Sequence, residues 1–285
     1  MFPQFFNFTD SMNFFQLCLF FIACFLIYII IGILTINGVW SFKDRAKFNL
    51  VTNGFSAVLP LIFSVIVGSI IVTAWKYQND ADYQATREAN DVGDIYVMVP
   101  DLNYDAPRIR HLMHEYANNV INIEWPLMRK SIKPTSGWSY LVEMQYIISN
   151  YKPVDLKDKI LLNRIQNVFS DLLDARRKRI AASLNNIPFV IYILLFFICA
   201  FIIFFNFFLG IHPWTQGILL TCLSIPIALC IVVIIALDCP FRTQIRIDPD
   251  EMKRVVELMK RGKKKFFKEP IKNTCIPNFL ISPTR

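Results

Sequence analysis

Four stretches of about 20 residues, 14–36, 55–75, 187–209 and 217–237, contain no Lys, Arg, Asp or Glu. Each is long enough to cross about 30 Å of hydrocarbon as a helix, the conformation that satisfies its backbone internally. The pattern therefore predicts a polytopic membrane protein. No period-two alternation of any length interrupts the helical signal, so the predicted class is all-α: four transmembrane helices with a large helical cytosolic insert between the second and third. The segments are 1–75 (helices 1 and 2), 76–183 (insert), 184–238 (helices 3 and 4) and 239–285 (basic tail).

The insert reads as helices. After Trp75 no Pro or Gly intervenes until Gly93, so the second helix continues well beyond the apolar run. Asp105 and Pro107 make a helix start, a cap with Pro in the first turn. Ile109, Leu112, Tyr116, Val120, Ile123 and Leu127 then recur at helical spacing. A break at 133–137 precedes a shorter helix over 138–148, and Leu161, Ile165, Val168 and Leu172 form a second stripe. Asn185 or Asn186 with Pro188 can start the third membrane helix. Asp248, Pro249 and Glu251 resemble a capping box, and Gly262 can end the helix it opens.

Charge sets the expected topology. The net charge is +8 and lies almost wholly in the tail, with 12 basic and 5 acidic residues after position 238; the insert balances 15 against 14. Arg176 to Arg179 precede the third run, and Arg242, Arg246, Lys253 and Arg254 follow the fourth. Cations near membrane ends favour the cytosolic side, which puts both termini and the insert on the cytosolic side of the cytoplasmic membrane. Lys43, Arg45 and Lys47 in the first loop oppose this. The first run is expected to stay attached, since no Lys or Arg precedes it and no small-residue cleavage site follows. Of the seven Cys, five lie in apolar runs and none has metal-type spacing, so they read as small hydrophobes.

Several residues are candidates for function. Val58, Ile62 and Ile66 recur every four residues and could line an apolar pore neck or simply pack. Pro60 and Pro226 interrupt spans and are expected to kink them. Asp238 ends the fourth run, where a helix dipole disfavours a carboxylate, so it is expected to pair with Arg242 or with Arg176 and Arg177 of the cluster before the third run. His111, His114 and Glu115 are close in sequence but lack an evident third metal ligand. No Gly-rich phosphate loop, GxSxG or nucleophile–base pattern occurs, so neither an enzyme nor a bound cofactor or metal is expected. Lys263, Lys264, Lys265, Phe266, Phe267 and Lys268 suit an anionic lipid surface better than nucleic acid.

Trp75, Glu115-Tyr116-Ala117, Glu124-Trp125-Pro126-Leu127-Met128, Asp174-Ala175-Arg176-Arg177, Ile187-Pro188, Leu237-Asp238-Cys239-Pro240-Phe241 and Asp248-Pro249 together make a specific set. From about residue 53 to 252 the chain resembles the bestrophin-like membrane proteins of bacteria and, more distantly, the bestrophin anion channels. The resemblance implies a homopentamer around one pore, a hydrophobic neck from the second helix near Val58, Ile62 and Ile66, and a cytosolic vestibule from the insert. Two departures stand out. The acidic calcium clasp after Pro-Phe is replaced by Arg242-Thr243-Gln244-Ile245-Arg246, which implies calcium-independent gating. The aromatic neck of the animal channels becomes aliphatic. The expected function is passive permeation of an inorganic anion such as chloride or bicarbonate. The alternative is a non-conducting scaffold that docks a partner through residues 76–183. A carrier is disfavoured by the lack of an inverted repeat.

Overall fold

The computed structural model describes residues 13–101, 106–185, 187–243 and 245–261, and among them every regular element is helical. The main helices are α1 (Phe14–Val39), α2 (Asn49–Met98), α3 (Ala106–Asn119), α4 (Trp138–Asn150), α5 (Leu156–Leu184), α6 (Phe189–Asn206), α7 (Pro213–Asp238) and α8 (Asp250–Arg261). By length and composition α1, α2, α6 and α7 can each cross a membrane. At 50 residues α2 is about 75 Å long and passes from an apolar half into a charged one without a break. Pro60 and Pro226 stay inside continuous helices. Helix α6 starts one residue after Pro188, which holds the N-cap position in place of the first turn.

The chain forms two compact units. The first comprises residues 1–85, 125–134 and 175–248. Its core takes Leu17, Phe21, Phe25 and Ile29 from α1, Phe63 and Val67 from α2, Leu195, Cys199 and Ile202 from α6, and Leu220, Ile227, Ile231 and Val232 from α7. α1 and α7 lie along one another. Gly32 of α1 lies against the residue that caps α6, since a Cβ there would stand 2.1 Å from the Phe207 ring.

The turn between α6 and α7 is held by polar side chains. Arg45, only 1% exposed, donates to the Phe207 carbonyl (2.7 Å) and to Asn37 Oδ1. The Gln216 amide donates to the carbonyls of Asn206 and Phe207, both at 2.9 Å. Asn49 Oδ1 accepts the Gly210 N–H at 2.7 Å. Gly210 is pressed so closely on the turn before α2 that a Cβ would lie 2.1 Å from the Ala46 nitrogen. Arg45, a loop cation by sequence, is thus a buried fastener.

The second unit comprises residues 86–124, 135–174 and 249–285. Ala89, Val92 and Ile95 of α2, Ile109, Met113 and Tyr116 of α3, Met144 and Ile148 of α4, and Val255 and Met259 of α8 fill its core. The Asp105 cap lies outside the described residues; Pro107 is in the first turn of α3, as its φ favours. The α3 stripe holds through Val120 and then changes. A π segment, Val120–Glu124, adds one residue to the turn, so Ile123 is 46% exposed and Glu124, Trp125 and Met128 are buried instead. In α5 the buried stripe is Leu162, Ile165, Phe169 and Leu172, which leaves Leu161 and Val168 half-buried at its margin.

Two carboxylates are fully buried in this unit. Glu88 Oε1 accepts the Tyr116 hydroxyl at 2.5 Å, and Glu124 Oε1 accepts the Gly137 N–H at 3.1 Å. Gly137 is required, since a Cβ would sit 2.6 Å from that same oxygen. On the charged half of α2, Asp91 has a buried Oδ2 without a hydrogen-bond partner among the described residues, and desolvation pushes its pKa up to about 6 against the pull of Arg87.

Two outcomes follow. Gly210→Ala forces a clash with backbone and should cost about 1–3 kcal/mol, read as a lower melting temperature of the detergent-purified protein. An unshifted melt would mean the turn before α2 yields freely. For Asp91, a folded pKa above the ordinary 3.8 means the contribution is present at low pH and lost as pH rises through about 6. Asp91→Asn should therefore raise the melting temperature at neutral pH by about 2 °C and flatten its fall between those two values. Parallel profiles of the two proteins across that window would refute the assignment.

Candidate functional site

Helix α2 packs one side and leaves the other open. Phe63, Val67 and Ala74 are buried, whereas Val58, Leu61, Ile62, Val65 and Val72 are each half or more exposed. Val58 and Ile62 lie on the open side, at 52% and 50% exposure. Ile66 does not share their position; it is partly buried and packs on the core. The reason is helical drift. Four residues advance 400°, so Ile66 is turned about 80° from Val58. Val65 and Ser69 lie closer to the Val58 direction, and the face reads Val58, Ile62, Val65, Ser69, Thr73. A search for a strict step of four misses the last three, because the repeat mixes steps of three and four.

The hydroxyls on this helix are satisfied locally. Ser64 donates to the Leu61 carbonyl (2.7 Å), Ser69 to Ile66 (2.7 Å) and Thr73 to Ser69 (2.8 Å). Their oxygen lone pairs remain available outward, as do the bare surfaces of Gly54 and Gly68, where an added Cβ would meet nothing within 4 Å. An apolar face punctuated by hydroxyls and glycines suits both close helix–helix approach and the lining of a narrow path.

The second cluster lies where α7 ends. Asp238, 6% exposed, accepts the Ile187 N–H at 2.5 Å and lies near the Tyr192 hydroxyl. A carboxylate at the negative end of α7 is thereby placed beside the positive end of α6. Of the cations expected near it, Arg176 is buried, Arg242 half-buried and Arg177 exposed.

Beyond Asp238 the chain folds back on itself. Thr243 Oγ1 donates to the Ala236 carbonyl (2.7 Å), and the Ile247 N–H to the Pro240 carbonyl (2.8 Å). Phe241, 1% exposed, meets Trp125 edge-to-face with centroids 5.6 Å apart. The Trp125 indole donates to the Ile247 carbonyl (3.1 Å), and the Gln78 amide to Ile245 (2.5 Å). Arg179, fully buried, stands over the Trp125 ring, with its guanidinium carbon 5.1 Å from the ring centroid. Asp248, the loop's sole carboxylate, is held by Arg129 (2.6 Å) and Arg246 (3.4 Å). Its charge is already compensated by two guanidiniums, and its neighbours are hydrogen-bond donors.

Among the described residues no three His, Cys, Asp or Glu side chains are grouped to hold a metal ion. His114 Nδ1 lies 3.4 Å from Glu115 Oε1 and 3.1 Å from Asn118 Nδ2. The basic run from Lys263 to Lys268 lies outside the described residues.

A model of the bestrophin-like domain matches residues 23–252. No curated protein matches the chain in sequence. A solved structure described as a crystal structure of a membrane protein shares the fold, with a TM-score of 0.62 at 10% identity, over 86% of this chain and 97% of that one. That likeness concerns fold alone, but it joins an all-helical membrane architecture to a family match over most of the chain: the protein belongs to the bestrophin-like family.

Proposed function

We propose that the protein is a homopentameric, passive ion channel of the cytoplasmic membrane that uses no cofactor.

 Five copies would surround one pore, with the open side of α2 toward the axis and an anion, chloride or bicarbonate first, as the permeant species. The observation that carries this reading is the face Val58, Ile62, Val65, Ser69 and Thr73, which the chain's own core leaves uncovered. In a bilayer such a face meets lipid or another copy, and its hydroxyls and the adjacent Gly68 favour a copy. An apolar constriction of this kind conducts by wetting and closes by drying.

Three further features support the reading. The tail and the residues before α6 are rich in cations, which would raise the local anion concentration at the inner mouth. Burial of Arg45 against the Phe207 carbonyl leaves Lys43 and Lys47 as the exposed cations of the first loop, which weakens the one charge signal against cytosolic termini. The engagement of Asp248 by Arg129 and Arg246 favours gating without calcium at the loop after α7.

The test is a planar bilayer carrying the purified protein in a KCl gradient. Reversal near the chloride equilibrium potential supports an anion channel, and reversal near that of potassium keeps the channel but inverts its selectivity. Ile62→Ala widens the apolar face without touching the packed side, so it should change unitary conductance or open probability several-fold while the oligomer survives. Ile66→Ala should act more weakly on current and more strongly on stability, because Ile66 packs on the core. Silence from a verified, folded oligomer would favour a non-conducting scaffold.

A further inference from the structure

The second unit contains a pocket that conduction does not use. Tyr96 and Pro100 near the end of α2, and Ala106, Pro107, Arg110, His111 and His114 at the start of α3, line an open pocket of about 480 Å³. That volume is within the range of small-molecule sites. We propose that it binds a small organic anion, a carboxylate or phosphate ester on a compact apolar body, through Arg110 and the two histidines.

The charge balance of the pocket argues for an anion. Elsewhere in this unit Arg87 pairs with Asp171 (2.9 Å) and Arg108 with Glu143 (2.7 Å). Arg110 has no carboxylate partner among the described residues, and its buried Nε finds no acceptor. Its guanidinium instead stacks on Tyr96, 4.1 Å from the ring centroid. The Tyr96 hydroxyl donates to the Met259 carbonyl (3.4 Å), which fixes the ring beneath the cation. A stacked guanidinium keeps its outer N–H groups in a planar fork suited to a carboxylate or phosphate.

The histidines fit the same ligand. Asn118 and Glu115 engage His114 through Nδ1, so Nε2 is the nitrogen left for the cavity. His111 is exposed at the rim. Among the described residues no Asp or Glu lines the pocket. The remaining walls, Pro100, Ala106, Pro107 and the Tyr96 ring, are apolar and offer a bare inorganic ion nothing. They would cover a small ring or alkyl group, which is why the ligand is assigned an organic body.

The inference is independent of the channel reading and is tested apart from current. Isothermal titration of the full-length oligomer would use phenyl phosphate, benzoate, inorganic phosphate and neutral benzamide as probes. Phenyl phosphate or benzoate should bind once per chain, benzamide should not bind, and inorganic phosphate should bind more weakly. Arg110→Gln should weaken binding about tenfold or more, and Arg110→Lys, which keeps the charge but loses the fork, should fall between. If Arg110→Gln fails to fold, His114→Gln and the anion-over-amide selectivity of the unaltered protein decide the matter. Absence of heat from all three anions at millimolar concentration would overturn the site, as would benzamide binding equal to benzoate or undiminished affinity in Arg110→Gln. Inorganic phosphate binding as tightly as phenyl phosphate would overturn the organic body.

Discussion

Backbone groups at the ends of an apolar helix must find partners where water is scarce, and α6 shows how this chain meets that demand. Its first N–H groups need acceptors and its last carbonyls need donors. Asp238 takes the N–H of Ile187, two residues ahead of the helix, and so stands beside the amide end of α6. Arg45 and Gln216 supply donors at the other end, on the Phe207 carbonyl. An anion sits near the N-terminus and a cation near the C-terminus, the signs the helix dipole favours at each end. The 18 residues between them carry no charge. The arrangement of α1, α6 and α7, and the tight turn at Gly210, rest on these contacts.

The same logic governs the buried carboxylates of the second unit. Glu124 is brought inside by the π segment and then satisfied by the Gly137 N–H, which only a residue without a side chain can present so closely. Glu88 is satisfied by Tyr116. Each buried charge has a specific donor, as a low-dielectric interior demands. Asp91 departs from the pattern: one oxygen is left without a donor, and the group responds by holding its proton more tightly.

Much of the helical order was legible in the sequence, because long apolar runs and stripes of period 3.6 are local signals. The uninterrupted passage of α2 through Trp75, the short helix from Trp138 and the proline near the start of α3 all follow from such signals. What was not legible depended on a partner distant in the chain or on a change of period. Nothing near Arg45 marks it as buried; its acceptor is 162 residues away. Ile123 and Leu127 continue the α3 stripe on paper, but the π segment spends one residue and turns them outward or aside. Ile66 belongs with Val58 and Ile62 by arithmetic of four, but not by angle. Asp238 was legible as a carboxylate needing a partner, and its backbone acceptor role on Ile187 was not.

The fastening of α6 also has an order in time. Arg45 is made long before the helix and Asp238 long after it. As the ribosome delivers the chain, the carbonyl end of α6 can be met by a side chain already in place, whereas its amide end waits about fifty residues for its acceptor. The contact of Ile187 with Asp238 can therefore form only after the whole of α7 has been made.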